Sequence, residues 1–124
     1  MITDGDLEEM RADQVALMFD AVVIDRKAGT HWDEEAQATV PTWEPVYSGV
    51  ARVALPHGTP IVTASGELVT PRTAMVTVPH GVVPAEGDRV RVINPRPGIP
   101  EYVWVQAIEA AAIPTACRMA CGAL

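Results

Sequence analysis

The rhythm of apolar and polar positions changes several times along this chain. Near the start, Leu7, Met10, Val15, Leu17 and Met18 fall on one broad side of a helix, interrupted by Arg11 and Gln14. Thr3 supplies a cap, and Asp4 and Asp6 stand in the first turn, where the helix dipole favours negative charge. The pattern predicts an α-helix over about residues 4–18. Residues 19–25 (Phe-Asp-Ala-Val-Val-Ile-Asp) are short, β-branched and bounded by Lys27-Ala28-Gly29-Thr30, which reads as a strand. Residues 28–45 then lose any period. They hold Gly29, Trp32, the run Asp33-Glu34-Glu35, Pro41, Trp43 and Pro45, and predict a long acidic loop of the kind that is functional or mobile.

After Pro45 the period becomes two. Tyr47, Ala51, Val53 and Leu55 share one side, and Ser48 and Arg52 the other. A break at residues 56–60 follows. Residues 61–71 fit a weak strand or a second loop turning at Ser65-Gly66. Ala74, Val76 and Val78 alternate with Thr73, Met75 and Thr77. After the turn Pro84-Ala85-Glu86-Gly87, Val90 and Val92 alternate with Arg89 and Arg91. Tyr102 to Glu109 reads as a strand too apolar for its faces to be assigned. Cys117, Met119 and Cys121 alternate with Arg118. One helix followed by about six short strands, with eleven prolines gathered in the breaks, favours a small closed barrel or a sandwich. The expected architecture is mainly β: a six-stranded β-barrel over about residues 19–122, with an N-terminal helix and a long acidic loop, in a single domain.

Composition narrows the class. The chain has 124 residues, 48% of them hydrophobic and 20% charged, which excludes a disordered polymer. No apolar run approaches the ~20 residues of a membrane span, and the first residues do not read as a secretory signal. Net charge is −7, unevenly placed: residues 1–44 hold eleven acids against three bases, residues 45–124 five acids against six arginines. That balance disfavours non-specific nucleic-acid binding, which runs on phosphate neutralisation. It suits contacts in which one copy's acidic segment meets another's basic face.

Catalytic material is sparse. His31 lies beside three carboxylates, but one histidine and loop acids make no ligand-spacing motif. His57 and His80 each sit in Pro-His-Gly and read as turn residues. Cys117 and Cys121, four apart on a strand, would be roughly 13 Å apart, too far for a disulfide, and read as small buried hydrophobes. Ser48 and Ser65 stand in no nucleophile motif, and no phosphate-binding glycine loop is present. The expectation is a non-enzymatic protein without cofactor or metal. Eight of the nine bases are arginine, suited to pairing with carboxylate or phosphate. Trp32 and Trp43, inside the acidic loop, are candidate interface anchors.

The order of segments resembles a known family. An acidic helix leads to a strand and a long loop. Then come Pro45-Val46-Tyr47-Ser48-Gly49-Val50-Ala51-Arg52-Val53, Met75-Val76-Thr77-Val78-Pro79 and Pro84-Ala85-Glu86-Gly87-Asp88-Arg89-Val90-Arg91-Val92, with an Arg118 strand closing the chain. This is similar to the head-to-tail stopper (head closure) proteins of long-tailed actinobacteriophages. The resemblance implies a barrel with an added helix, assembled in the virion as a six- or twelve-fold homo-oligomeric ring. Such a ring lies below the portal and adaptor and above the tail terminator and tail tube. It retains packaged DNA, which it contacts only transiently, and it docks the tail. It also implies a gate formed by loops in the lumen, here residues 28–45 or, failing that, 56–71.

On that expectation Trp32, Asp33, Glu34, Glu35 and Trp43 belong to the lumen loop, where the acids would repel phosphate. Asp6, Glu8, Glu9 and Asp13 would face Arg52, Arg89, Arg91 and Arg118 of a neighbouring copy or of the adaptor ring. The alternatives are another connector part (an adaptor or a tail terminator), an oligonucleotide-binding barrel, or a small enzyme or metal-binding barrel. An adaptor should be mostly helical, and an oligonucleotide barrel should show a basic groove with exposed aromatics.

Overall fold

The computed structural model describes residues 3–55, 58, 60–110 and 115–123. Helix α1 spans Asp4–Ala16, and eight strands follow: β1 (Asp20–Asp33), β2 (Ala38–Ala54), β3 (Ile61–Val62), β4 (Leu68–Val69), β5 (Ala74–Pro79), β6 (Arg89–Ile93), β7 (Tyr102–Ile108) and β8 (Ala116–Gly122). Six of them hydrogen-bond in the order β1-β2-β5-β8-β7-β6. Because β6 pairs back onto β1, the sheet closes into a barrel. Every pairing is antiparallel.

The alternation seen in the sequence builds the interior. Val22 and Ile24, Ala51 and Val53, Ala74, Val76 and Val78, Val90 and Val92, Val103 and Val105, and Met119 and Cys121 all point inward and are buried. Burial of one apolar residue in two along each strand provides the main stabilisation. Tyr47 closes part of this core, and its hydroxyl donates to the Val50 carbonyl at 2.6 Å. Gly49 makes that path possible: a Cβ there would stand 2.7 Å from the Tyr47 oxygen.

The segment 61–71 resolves into the hairpin β3–β4. It lies against the outside of the barrel, where Ile61 and Val69 pack on Met75, Ala107 and Ala120. Cys121 is buried and Cys117 partly so; both are free thiols against the core, as small hydrophobes would be. Burial pushes both thiols up, Cys121 to about 12, with Glu109 adding to the shift at Cys117. His80 sits in the turn after β5, and His57 lies outside the described residues.

Two expectations need correction. The helix ends at Ala16, two residues early, and buries no side chain. Its half-buried positions are Leu7, Arg11 and Gln14, at i, i+4 and i+7; of the predicted apolar side only Met18, beyond the helix end, is buried. The helix is fixed at its start by reciprocal bonds between Thr3 and Asp6, which hold the Asp6 carboxyl below its ordinary value. The larger correction concerns residues 28–45. They form no long loop. β1 and β2 continue as a two-stranded antiparallel ribbon, with Lys27 opposite Trp43, Thr30 opposite Pro41 and Asp33 opposite Ala38. Neither face of this ribbon is covered, so no alternation marked it in the sequence.

Candidate functional site

The ribbon is an arm. β1 pairs with β6 only over Ala21–Asp25, and β2 with β5 only over Arg52–Ala54. From Arg26 to Asp33 the arm therefore extends about 25 Å beyond the strands that hold its base, at the usual strand rise. Register shifts at Ile24/Asp25 and at Lys27/Gly29 mark where it leaves the barrel. At the far end Asp33 Oδ1 accepts from the amides of Glu35 and Ala36, Gln37 takes a left-handed conformation (φ 52°), and its side chain donates to the Glu34 carbonyl. Asp33 thus organises the turn, while Glu34 and Glu35 are exposed. Trp32, 59% exposed, stands just before the turn.

The arm's root is clamped by an ion pair that the sequence reading did not single out. Asp88 is 2% exposed. It accepts from Arg26 Nε (3.1 Å), Arg26 Nη2 (2.9 Å) and the Ala85 amide (2.8 Å). Arg26 also donates to the Val83 carbonyl. The hydrogen bond to Asp88, and then its charge, raise the Arg26 guanidinium above its ordinary value. Gly87, at φ 88°, lets the turn 84–87 close beneath this carboxylate. The signal in the sequence was an Asp after a turn glycine, directly before an alternating strand. A second acceptor, the half-buried Asp20 at the start of β1, takes the Val53 amide (2.9 Å) and Arg96 (3.2 Å).

Beside the root lies an aromatic and cationic face on the outside of β2-β1-β6-β7. Cross-strand pairing sets its rows: Val50, Ala21 and Ile93; then Ser48, Val23, Arg91 and Tyr102; then Pro45, Asp25, Arg89 and Trp104. Arg89 pairs with Asp25 at 3.0 Å. Its guanidinium lies 4.5 Å from the Trp43 ring centroid and 5.1 Å from that of Tyr102. Tyr102 stacks on Trp104 at 6.5 Å. Arg89 Nε, Arg91 Nε and Trp104 Nε1 have no hydrogen-bond partner among the described residues. Tyr102 and Trp104 were missed because strand β7 looked uniformly apolar; their i, i+2 spacing was the signal.

The residues expected to act together are thus distributed. Trp32, Asp33, Glu34 and Glu35 share the arm's end, whereas Trp43 belongs to its root and packs on Arg89. Arg89 and Arg91 share the aromatic face. Arg52 stands exposed on β2, and Arg118, on β8, pairs with Glu109 at 3.3 Å, away from that face. Glu8, Glu9 and Asp13 are exposed on α1. His31 Nδ1 lies 2.7 Å from Thr42 Oγ1 on the arm. Among the described residues no three His, Cys, Asp or Glu side chains gather as a metal site, and no helix is long and apolar enough to cross a membrane.

Residues 10–121 match the family described as "Family of unknown function (DUF6093)", and the chain belongs to that family. No curated protein and no solved structure matches.

Proposed function

We propose that this chain is a structural virion protein, a head-to-tail stopper. In this reading it forms a homo-oligomeric ring between the portal and adaptor above and the tail terminator and tail tube below. It retains the packaged genome and offers the tail a docking surface. It performs no chemistry and needs no cofactor.

The observation that carries the reading is the arm. A two-stranded ribbon about 25 Å long, ending in exposed Glu34 and Glu35, has the reach to project from a ring wall into a lumen. Carboxylates at such a tip would repel DNA phosphate and keep the passage from sticking. The order of the VYSG-x-x-RV and GD-x-V-x-V segments supports the same reading. So does their structural use: Gly49 makes room for Tyr47, and Asp88 holds the arm's root.

The test is deletion of the reading frame in its source, followed by electron microscopy. Tailless heads that lose their DNA, beside free tails, are the expected result. Intact tailed particles overturn the proposal.

The aromatic face favours a second reading, an oligonucleotide-binding barrel. Arginine beside stacked Trp and Tyr is the composition of a single-strand platform. Salt-dependent binding of single-stranded DNA would support it. Against it stand the net charge of −7 and the rings' engagement with Arg89.

A further inference from the structure

The outside of the barrel is covered unevenly. Over β5, β8 and β7 lies the β3–β4 hairpin with its own small apolar cluster, and α1 rests on β5. Over β2, β1, β6 and β7 no described element lies. Val50, Ile93 and Tyr102 are exposed there, in register with Ala21, Val23 and Arg91. Around this apolar patch stand Lys27, Arg52, Arg89 and Arg91, against one acid in the same rows, Asp25. Arg52 and Arg91 have no ion-pair partner among the described residues. The polar groups left unpaired on this face are all donors.

Helix α1 has the opposite character. It carries five acids and one arginine. Along one side of its half-buried stripe runs an exposed flank with Met10, Asp13 and Leu17 at i, i+3 and i+7, and Glu9 beside Asp13. Phe19, just past the helix, is 86% exposed. An apolar ridge edged with carboxylates and an apolar face edged with arginines, on one chain and both uncovered, are complementary in both respects. Their sizes agree: thirteen helical residues span about 20 Å, and four strands at 4.7–4.9 Å spacing present a face of roughly 15–20 Å.

We infer that the β2-β1-β6-β7 face of each chain receives the α1 flank (Met10, Asp13, Leu17) and Phe19 of a second copy. The two patches lie on different parts of the chain, so the contact is head-to-tail and generates a ring when its rotation closes. The inference rests on the reading of the chain as a ring subunit and identifies which surfaces would join. A nucleic acid is a poorer occupant, because the aromatic rings are already stacked with one another or engaged with Arg89.

Sedimentation of the full chain from micromolar to millimolar concentration tests it. The wild-type chain is expected to associate as concentration rises. Glu9→Lys with Asp13→Lys, Arg91→Glu, and Phe19→Ser should each weaken association about tenfold or more. Combining the two charge reversals should restore most of the loss. Phe19→Ser is the control against misfolding, since that side chain packs on almost nothing. A chain monomeric throughout, or association indifferent to these changes, overturns the inference. So does an Arg91-dependent complex with single-stranded oligo-dT in place of self-association. The particle phenotype is a separate readout: tailless heads with indifferent association would keep the stopper and discard this interface.

Discussion

The same two strands live in two environments. From Asp20 to Asp25, and from Tyr47 to Ala54, β1 and β2 are barrel staves: alternate side chains turn to the core, and a second partner is bonded over Ala21–Asp25 of β1 and Arg52–Ala54 of β2. From Arg26 to Asp33, and from Ala38 to Glu44, they bond only to each other, and no side chain is fully buried. A two-stranded ribbon with neither face covered is marginal by itself in water. Its persistence depends on the root, where Arg26 reaches Asp88 and Trp43 packs on Arg89. The contrast separates residues that make the fold from residues that the fold displays. Stability should therefore respond to the first group and be nearly blind to the second.

Asp88→Ala should show the largest effect. It removes a buried carboxylate and leaves the Ala85 amide and Arg26 without their acceptor, at a cost of about 2–4 kcal/mol in urea unfolding. A loss below about 1 kcal/mol would mean that the root is not clamped there. Gly49→Ala comes next. The new Cβ must displace the Tyr47 hydroxyl and its bond to Val50, for about 1–2 kcal/mol. Tyr47→Phe should cost less and should reduce the further penalty of Gly49→Ala.

A pH titration sharpens the same comparison. In the fold Cys121 keeps its proton to about 12, whereas the unfolded chain ionises it near the ordinary 9.0. Above pH 9 the native state thus binds the extra proton. Stability should fall by about 1.4 kcal/mol per pH unit between those values. Cys121→Ala should remove that contribution and leave a shallower fall from Cys117 and Tyr47, which burial also pushes up. The smallest effect belongs to the arm: Glu34→Gln with Glu35→Gln should leave the unfolding free energy within about 0.5 kcal/mol of wild type. A larger change would show that the acidic tip folds back on the barrel.

Legibility in the sequence followed burial. β5, β6 and β8 were readable because Ala74-Val76-Val78, Val90-Val92 and Met119-Cys121 alternate against a core. The arm read as a loop because Pro41, Pro45 and Gly29 look like breaks and nothing on either side is buried. The helix had its cap and first turn in plain sight. Its apolar stripe suggested a packed face that the chain's own barrel does not provide, since Met10, Val15 and Leu17 stay exposed. Of the candidate site, the acidic tip and Arg89 with Trp43 were visible as residue types but not as neighbours. Contact across β1, β2 and β6 depends on register, which a single strand's pattern does not encode. Asp88 went unnoticed because a lone acid after a turn glycine looks like any solvated turn residue.

The irregularities of the arm also govern how two free chains meet. A free ribbon with two clean edges would template strand addition, and a stock of such chains would drift into fibres. Pro41 and Pro45 each delete an amide donor from β2, while β1 carries a lysine at Lys27 and a register slip on either side of it. These features spoil both edges as templates without stiffening the tip. Arm-to-arm strand addition between free chains is therefore disfavoured.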